Sequence, residues 1–460
     1  MKQNYSKPLF VTILFACVFS FCHAGAQSWE QLGNKGFSTG EAYYTSFAIA
    51  GGVPYVVFQD YANGYKATVM SYGGSGWQVV GNPGFTPNLV QYTSIAIDKN
   101  GTPYVVYSDN GNGHQVSVMK YYGGSWVTVG PQNFSSDNVT CTDIAIDTSG
   151  TPYVVYVDGS NYYKATVKKY DALTDSWLTV GGGGFSRGES KYTTIAINRS
   201  GTPYVAYQDQ DTDFHATVMA FNGLNWSPVG SYGFSSAAAF STDIALDTNS
   251  VPYVVFSDNA YGRKATVMTY NGTSWVNLGS AGFSDSMAQY TTIAVGKSGV
   301  PYVAYSDGGI VDSGGQATVM QYSGGSWEPV CHNKISAGRA WFTSVAVDSY
   351  SVPYVAYMDF TDSGRASVLV DNSSGPCYPA AVKNAVVANE LSIYPNPAST
   401  ELTIAASTNI TSLVISSLTG QTVYQNRPGT ESLQINISAL PAGMYFIKVN
   451  DTEVRKFVKE

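Results

Sequence analysis

Apolar positions in this chain come in short bursts rather than in helical stripes. Runs such as Ile95-Ala96-Ile97 and Tyr104-Val105-Val106-Tyr107 are almost wholly apolar or small, and Gly, Asn and Asp bound them. That pattern predicts strands buried on both faces, separated by tight turns. Beyond the first 26 residues no stretch keeps apolar side chains at i, i+3, i+4 and i+7, so no helix is expected.

The bursts repeat. Pro-Tyr-Val recurs at Pro54, Pro103, Pro152, Pro203, Pro252, Pro301 and Pro353, in steps of 49 to 52 residues. An Ala/Val-Thr/Ser-Val block begins at Ala67, Val116, Ala165, Ala216, Ala265, Ala317 and Ala366, and a third block centres on Trp29, Trp77, Trp126, Trp177, Trp226, Trp275 and Trp327. From each Trp to the next Tyr-Thr-Ser-like block is 15 residues in all seven copies. Each unit therefore predicts four strands, in the second copy 92–98, 103–108, 116–122 and 125–129. Proline opens the second strand, where a missing N–H is tolerated. Four-stranded units of this length fit a propeller blade.

The two ends decide between an open solenoid and a ring. The first unit is an orphan Trp strand (29–33), and the last has three strands with no Trp block after Ala366-Ser367-Val368. A solenoid would leave both edges exposed. A ring lets the N-terminal strand complete the last blade. The expected fold is all-β: a seven-bladed β-propeller closed by the N-terminal strand, followed by a small C-terminal β-sandwich.

Composition agrees with that reading and bounds the function. Charged residues make up 12% and aromatics 14%, with 35 Tyr and 47 Gly. Residues 1–26 read as a signal peptide: Lys2 and Lys7, an apolar stretch from Leu9 to Phe21, and small residues before a cleavage point between Ala26 and Gln27. The apolar run is too short to span comfortably, and no membrane span is expected once the leader is removed. The formal net charge is −8, and loss of Lys2 and Lys7 makes the remainder more acidic, so nucleic acid is not an expected partner. Export permits disulfides, and Cys331 and Cys377 flank the last repeat and are expected to pair. Closing a loop of that length stabilises by roughly 4 kcal/mol, less any strain. Cys141 stands where four sister repeats carry Tyr and reads as a small buried apolar residue.

After Val370 the text changes. A linker is expected over 372–389, and from Glu390 period-2 runs separated by Gly, Pro and Asn turns predict a sandwich. Tyr394-Pro-Asn-Pro397, Gly420-Gln-Thr-Val423, Leu440-Pro-Ala-Gly-Met-Tyr445 and the basic close Arg455-Lys456-Phe457-Val458-Lys459 give this segment a recognisable order. It resembles the C-terminal sorting domain of the type IX secretion system of Bacteroidota. The resemblance implies a periplasmic intermediate, export directed by residues 390–460, the secretion machinery as partner, and a secreted or cell-surface destination. The repeats at 27–371 look like the Tyr-Val-Val-Tyr/Ala-Thr-Val-Met propellers carried ahead of such tails, and loosely like kelch-type and sialidase-like propellers. The sialidase Ser-x-Asp-x-Gly-x-Thr-Trp box is missing, and the resemblance implies no activity.

Candidate chemistry is sparse. An Asp ends the second strand in every unit: Asp60, Asp109, Asp158, Asp209, Asp258, Asp307 and Asp359. Sevenfold recurrence favours a carboxylate that accepts turn N–H groups, with a ring of ligand contacts as the alternative. Asp209, Asp211 and Asp213 have the alternate spacing hard cations favour but lack the turn Gly and later Glu of a calcium loop. Lys66, Gln115, Lys164, His215, Lys264, Gln316 and Arg365 follow before the third strand. The connections into the next unit carry Tyr43, Tyr44, Tyr92, Tyr192, Phe240, Tyr290, Trp341 and Phe342, on the same face as those loops. Aromatic faces beside Asp and Lys suit stacking on sugars, although packing at the strand entrance also explains the recurrent Tyr. The candidate ligand contacts are Tyr44, Tyr92, Tyr192, Tyr290, Trp341, Asp60, Asp109, Asp209, Lys66 and Lys264. No cofactor is expected, and the protein is expected to be a monomer. His114, His215 and His332 lie in different units, and no Ser elbow or phosphate loop is present. Glu41, Glu189, the loop 307–315 and Arg339-Ala340-Trp341 are the irregular features from which a carboxylate pair would have to be drawn. Three functions stay open: glycan or surface-polymer binding, a polysaccharide-active hydrolase or lyase, and a protein-interaction or adhesion scaffold.

Overall fold

The computed structural model describes residues 28–308, 315–372, 391–417, 421–450 and 453–460. The expected leader with its Ala26/Gln27 cleavage point, the linker beyond residue 372, and Cys377 lie outside the described residues. The chain forms two compact units, Met1–Ala381 and Val382–Glu460.

The first unit is built from seven four-stranded antiparallel sheets, here blades 1 to 7 in chain order. The inner strands, which face one another around the axis, are Ala42–Ala50, Val90–Ile97, Val139–Ile146, Ser190–Ile197, Ala239–Leu246, Ala288–Val295 and Ala340–Val347. Second strands such as Pro103–Asp109 are buried along their whole length, as their unbroken apolar text requires. The seventh sheet is composite: Ser28–Gln31 pairs antiparallel with Arg365–Asn372, Trp29 facing Asp371 and Gln31 facing Leu369. The ring is closed as the unequal ends of the repeat array demanded.

Packing between blades repeats around the ring. The indole N–H of each outer-strand Trp donates to a backbone carbonyl of the preceding blade: Trp77 to Leu32 at 2.8 Å, Trp177 to Val129 at 2.8 Å, and across the closure Trp29 to Val330 at 2.8 Å. A Phe stacks on that indole at six junctions, for instance Phe37 on Trp77 with centroids 4.1 Å apart. At the closure Ile335 takes the place of the Phe and packs with Trp29. Just past each outer strand lies a left-handed residue, Gly in six units and Cys331 (φ 72°) before the closure. The site is crowded: a Cβ at Gly279 would lie 3.1 Å from Trp327 Cδ1. Among the described residues Cys141 is the free cysteine.

The second unit is a sandwich of a three-stranded and a four-stranded sheet. Leu402, Ile404 and Ile435 from the first sheet meet Leu413, Ile415, Ile447 and Phe457 from the second in one core. Among the described residues no helix is long and apolar enough to cross a membrane.

Candidate functional site

Each inner strand is interrupted by a bulge near its start, in blade 1 between Tyr43 and Ser46. The bulge places one residue per blade in the left-handed region: Tyr44 (φ 50°), Tyr92 (52°), Cys141 (52°), Tyr192 (52°), Ser241 (49°), Tyr290 (52°) and Phe342 (50°). Such a conformation costs a non-glycine residue about 1–2 kcal/mol. The neighbouring blade offsets the cost. The carbonyl of each left-handed residue accepts a hydrogen bond from the Thr hydroxyl of the next blade. Thr93 donates to Tyr44 (2.7 Å), Thr193 to Cys141 (2.8 Å), Thr242 to Tyr192 (2.6 Å) and Thr343 to Tyr290 (2.6 Å). Thr142 to Tyr92, Thr291 to Ser241 and Thr45 to Phe342 complete the circle. The bulge thus turns seven side chains toward the axis, around a cavity of about 520 Å³ at the channel mouth.

Four aromatic rings form a continuous arc on this rim. Tyr290 and Phe342 lie 4.9 Å apart, Phe342 and Tyr44 5.1 Å, and Tyr44 and Tyr92 5.2 Å. The collar is then broken by Cys141 in blade 3 and Ser241 in blade 5, with Tyr192 standing between the gaps. Burial raises the phenols of Tyr44, Tyr192 and Tyr290, and pushes Tyr92 to about 12, so these hydroxyls remain neutral hydrogen-bonding groups.

Two residues deeper, a second ring lines the same cavity: Ser46, Ser94, Asp143, Thr194, Asp243, Thr292 and Ser344. In three blades its hydroxyl accepts a backbone N–H from the next blade: Ser46 from Ile95 (3.2 Å), Thr292 from Val345 (3.1 Å) and Ser344 from Phe47 (3.1 Å). Blades 3 and 5 differ. Asp143 takes the N–H of Ile195 (2.9 Å) in the next blade and its own Ile144 N–H (2.9 Å), and accepts the Ser94 hydroxyl (2.7 Å). Asp243 likewise takes Ile293 N–H (2.8 Å) and Ile244 N–H (2.9 Å). Because Asp243 captures the Ile244 N–H, the Thr194 Oγ1 that would have accepted it is buried without a hydrogen-bond partner. Burial pushes the Asp143 carboxyl up, and burial together with the charge of Asp143 pushes Asp243 to about 7.

The structure separates the residues singled out from sequence. Tyr44, Tyr92, Tyr192 and Tyr290 meet at the channel mouth. Trp341 sits one residue before the collar, packed edge-on against Phe360 (4.7 Å) with Arg339 over its ring (5.2 Å). Asp60, Asp109 and Asp209 are buried, at 1%, 1% and 0% exposure, and cap short 3-10 turns. Asp60, for example, accepts from Ala62 N (3.1 Å), Asn63 Nδ2 (2.8 Å) and the Thr68 hydroxyl (2.7 Å). Lys66 and Lys264 pair in register with Asp60 and Asp258 but make no ion pair among the described residues. The aspartates at 209, 211 and 213 do not converge on a cation. Asp209 is turned inward, Asp211 pairs with Arg187 (3.1 Å), and among the described residues no group of three His, Cys, Asp or Glu side chains is placed to hold a metal ion. Glu41 is hydrogen-bonded to the Tyr43 hydroxyl, and Glu189 pairs with Lys191 (3.5 Å).

Asp143 and Asp243 were missed in the sequence. The signal was present: the block reads Tyr/Phe-Thr-Ser/Thr in five blades, but Cys141-Thr-Asp143 and Ser241-Thr-Asp243 in two.

Residues 392–460 match the model of the secretion system C-terminal sorting domain. The tail is therefore that of type IX cargo, and the protein is secreted or displayed on the outer-membrane surface. No curated protein matches the chain. Among solved structures it is similar to PorZ, an essential bacterial surface component of the type IX secretion system of Porphyromonas gingivalis, with 13% identity and a TM-score of 0.47 over 92% of this chain and 60% of that one. The chain thus spans under two thirds of PorZ. It is also similar to a PL25 ulvan lyase (13%, TM-score 0.50, 75% of this chain and 96% of that one) and to the SapL1 lectin (14%, 0.45, 64% and 96%). At such identities the likeness speaks to the fold alone.

Proposed function

We propose that this exported propeller is a binding protein that recognises a glycan or surface polymer through its loop-rich face, with the channel mouth as the point of contact. The arc Tyr290–Phe342–Tyr44–Tyr92 carries the reading. It presents four aromatic rings side by side at the rim of an open cavity, a surface suited to pyranose faces, with neutral phenols to bond sugar hydroxyls. The sorting tail supports it by placing the propeller outside the cell, where such polymers are met. The propeller is expected to act as a monomer, and the secretion machinery engages it through the tail.

A glycan array on the purified protein tests the reading. Binding is expected for the native chain and a loss of tenfold or more for Tyr92→Ala, with a smaller effect for Trp341→Ala, which lies off the arc. Failure of every glycan to bind, or binding unchanged by Tyr92→Ala, overturns it.

One observation favours a second reading, that of a polysaccharide-active enzyme: Asp143 and Asp243 are two acids in one cavity, with Asp243 raised to about 7. Release of reducing ends or unsaturated sugars from polysaccharides, lost in Asp243→Asn, is the result that would establish it.

A further inference from the structure

The two gaps in the aromatic collar and the two carboxylates beneath it are one feature. In blades 3 and 5 alone, the large collar side chain is replaced by Cys141 or Ser241, and the hydroxyl two positions later by Asp143 or Asp243. Both members of each pair line the same cavity, so the small residue at the collar and the carboxylate two positions on face one space. Sister blades show that Ser or Thr suffices to bridge neighbouring inner strands. Structure alone does not call for the acids.

Resting on the glycan-binding reading above, we infer that the channel receives a protonated amine borne on a sugar: an N-deacetylated amino-sugar glycan whose ammonium enters between Asp143 and Asp243 while its ring lies against the collar.

Acceptor arithmetic matches that group. An ionised carboxylate offers about four lone-pair sites. Asp143 uses three, on Ser94, Ile144 and Ile195, and Asp243 uses two, on Ile244 and Ile293. Both therefore retain capacity, and in blade 4, between them, the buried Thr194 Oγ1 has no partner. An ammonium brings three donors and no acceptor, whereas a sugar hydroxyl or N-acetyl group brings one. Charge points the same way. Among the described residues neither carboxylate pairs with a Lys or Arg; nearby Lys191 is engaged with Glu189, and Arg263 lies over Phe240 at 4.0 Å. Tyr192, between the gaps, offers a ring face to a cation. A dedicated divalent-metal site is a poorer fit, since hard cations take six to eight oxygens and the described residues hold no third acid here.

Calorimetry on the full mature chain with tetra-glucosamine and its N-acetylated counterpart tests the inference. The free amine is expected to bind at least tenfold more tightly. The double variant Asp143→Ser/Asp243→Thr, which installs residues the sister blades already carry, is expected to lose that preference while still unfolding in one cooperative thermal transition, at or slightly above the native temperature. Should the variant not fold, the amine-versus-acetyl comparison on the native chain decides alone. Equal affinity for the two sugars, or a preference that survives the double substitution, overturns the inference and leaves the glycan reading standing. Failure of both sugars and of all arrayed glycans removes both proposals. Binding of a lysine-rich peptide without either sugar overturns the amino-sugar assignment in favour of a protein ligand.

Discussion

The outer girdle and the central channel of this propeller are made by the same repeat, yet they keep its symmetry to different degrees. At the girdle, every outer-strand Trp donates to the preceding blade, at distances from 2.6 to 2.8 Å. At the channel, the Thr hydrogen-bond circle is equally complete, but the side chains on either side of it depart in blades 3 and 5. A group needed seven times is scaffold. A pair of acids present in two blades, where Ser or Thr stands in the other five, breaks the symmetry that the scaffold keeps, and the amine-binding proposal gives that break a use.

That contrast can be broken at the girdle first. Trp177→Ala removes a buried indole, its 2.8 Å bond to Val129 and its stack on Phe134, and should cost about 3–5 kcal/mol in denaturant unfolding. Tyr92→Ala at the collar is expected to cost far less stability and to act on binding instead. Next is the seam. Cys331 and Cys377 are proposed to pair; reduction is expected to lower stability by up to about 4 kcal/mol, and peptide mapping without reductant should recover the linked peptides. A smaller loss, about 1–3 kcal/mol, is expected for Thr142→Val, which leaves the Tyr92 carbonyl without its donor.

The last effect has the opposite sign. Burial, then Asp143, raises the Asp243 carboxyl to about 7 from its ordinary value near 4. A raised acid favours folding when protonated, so its contribution is full below about pH 4 and is lost as pH climbs to 7. Asp143 is the charged group acting on it, with Cys141 and Tyr192 the other titratable groups on the adjoining rim, and Lys191 and Arg263 engaged elsewhere. Asp243→Thr should therefore raise the melting temperature at pH 8 by on the order of 1–3 °C relative to native protein, with the gain shrinking toward pH 4. A gain independent of pH would show that the carboxylate is not strained by its surroundings.

Blade count and closure were legible because they depend on spacing. Seven Trp residues at a fixed distance from the next block, with one Trp too early and one missing late, admit a ring and little else. The expected inner strand 92–98 became Val90–Ile97, with Tyr92 turned left-handed by a bulge that alternation of side chains does not encode. That bulge is why the Tyr block forms a collar around the axis. The recurrent Asp residues drew attention as possible contacts, although Asp60 and Asp109 are consumed by their own turns. Asp143 and Asp243 escaped notice because each sits inside a strand whose neighbours look like core, and only comparison of the seven triplets sets them apart.

Closure by Ser28–Gln31 has a consequence for the order in which the molecule can be made. The Gln31 side chain bonds the Val368 carbonyl across 337 residues of sequence. Blades 1 to 6 can assemble as the chain emerges, but the first strand must wait, its edge unpaired, until the last three strands arrive. The sorting tail at 392–460 lies C-terminal to those strands, so any chain that carries the address of the cargo also carries the residues that complete the circle.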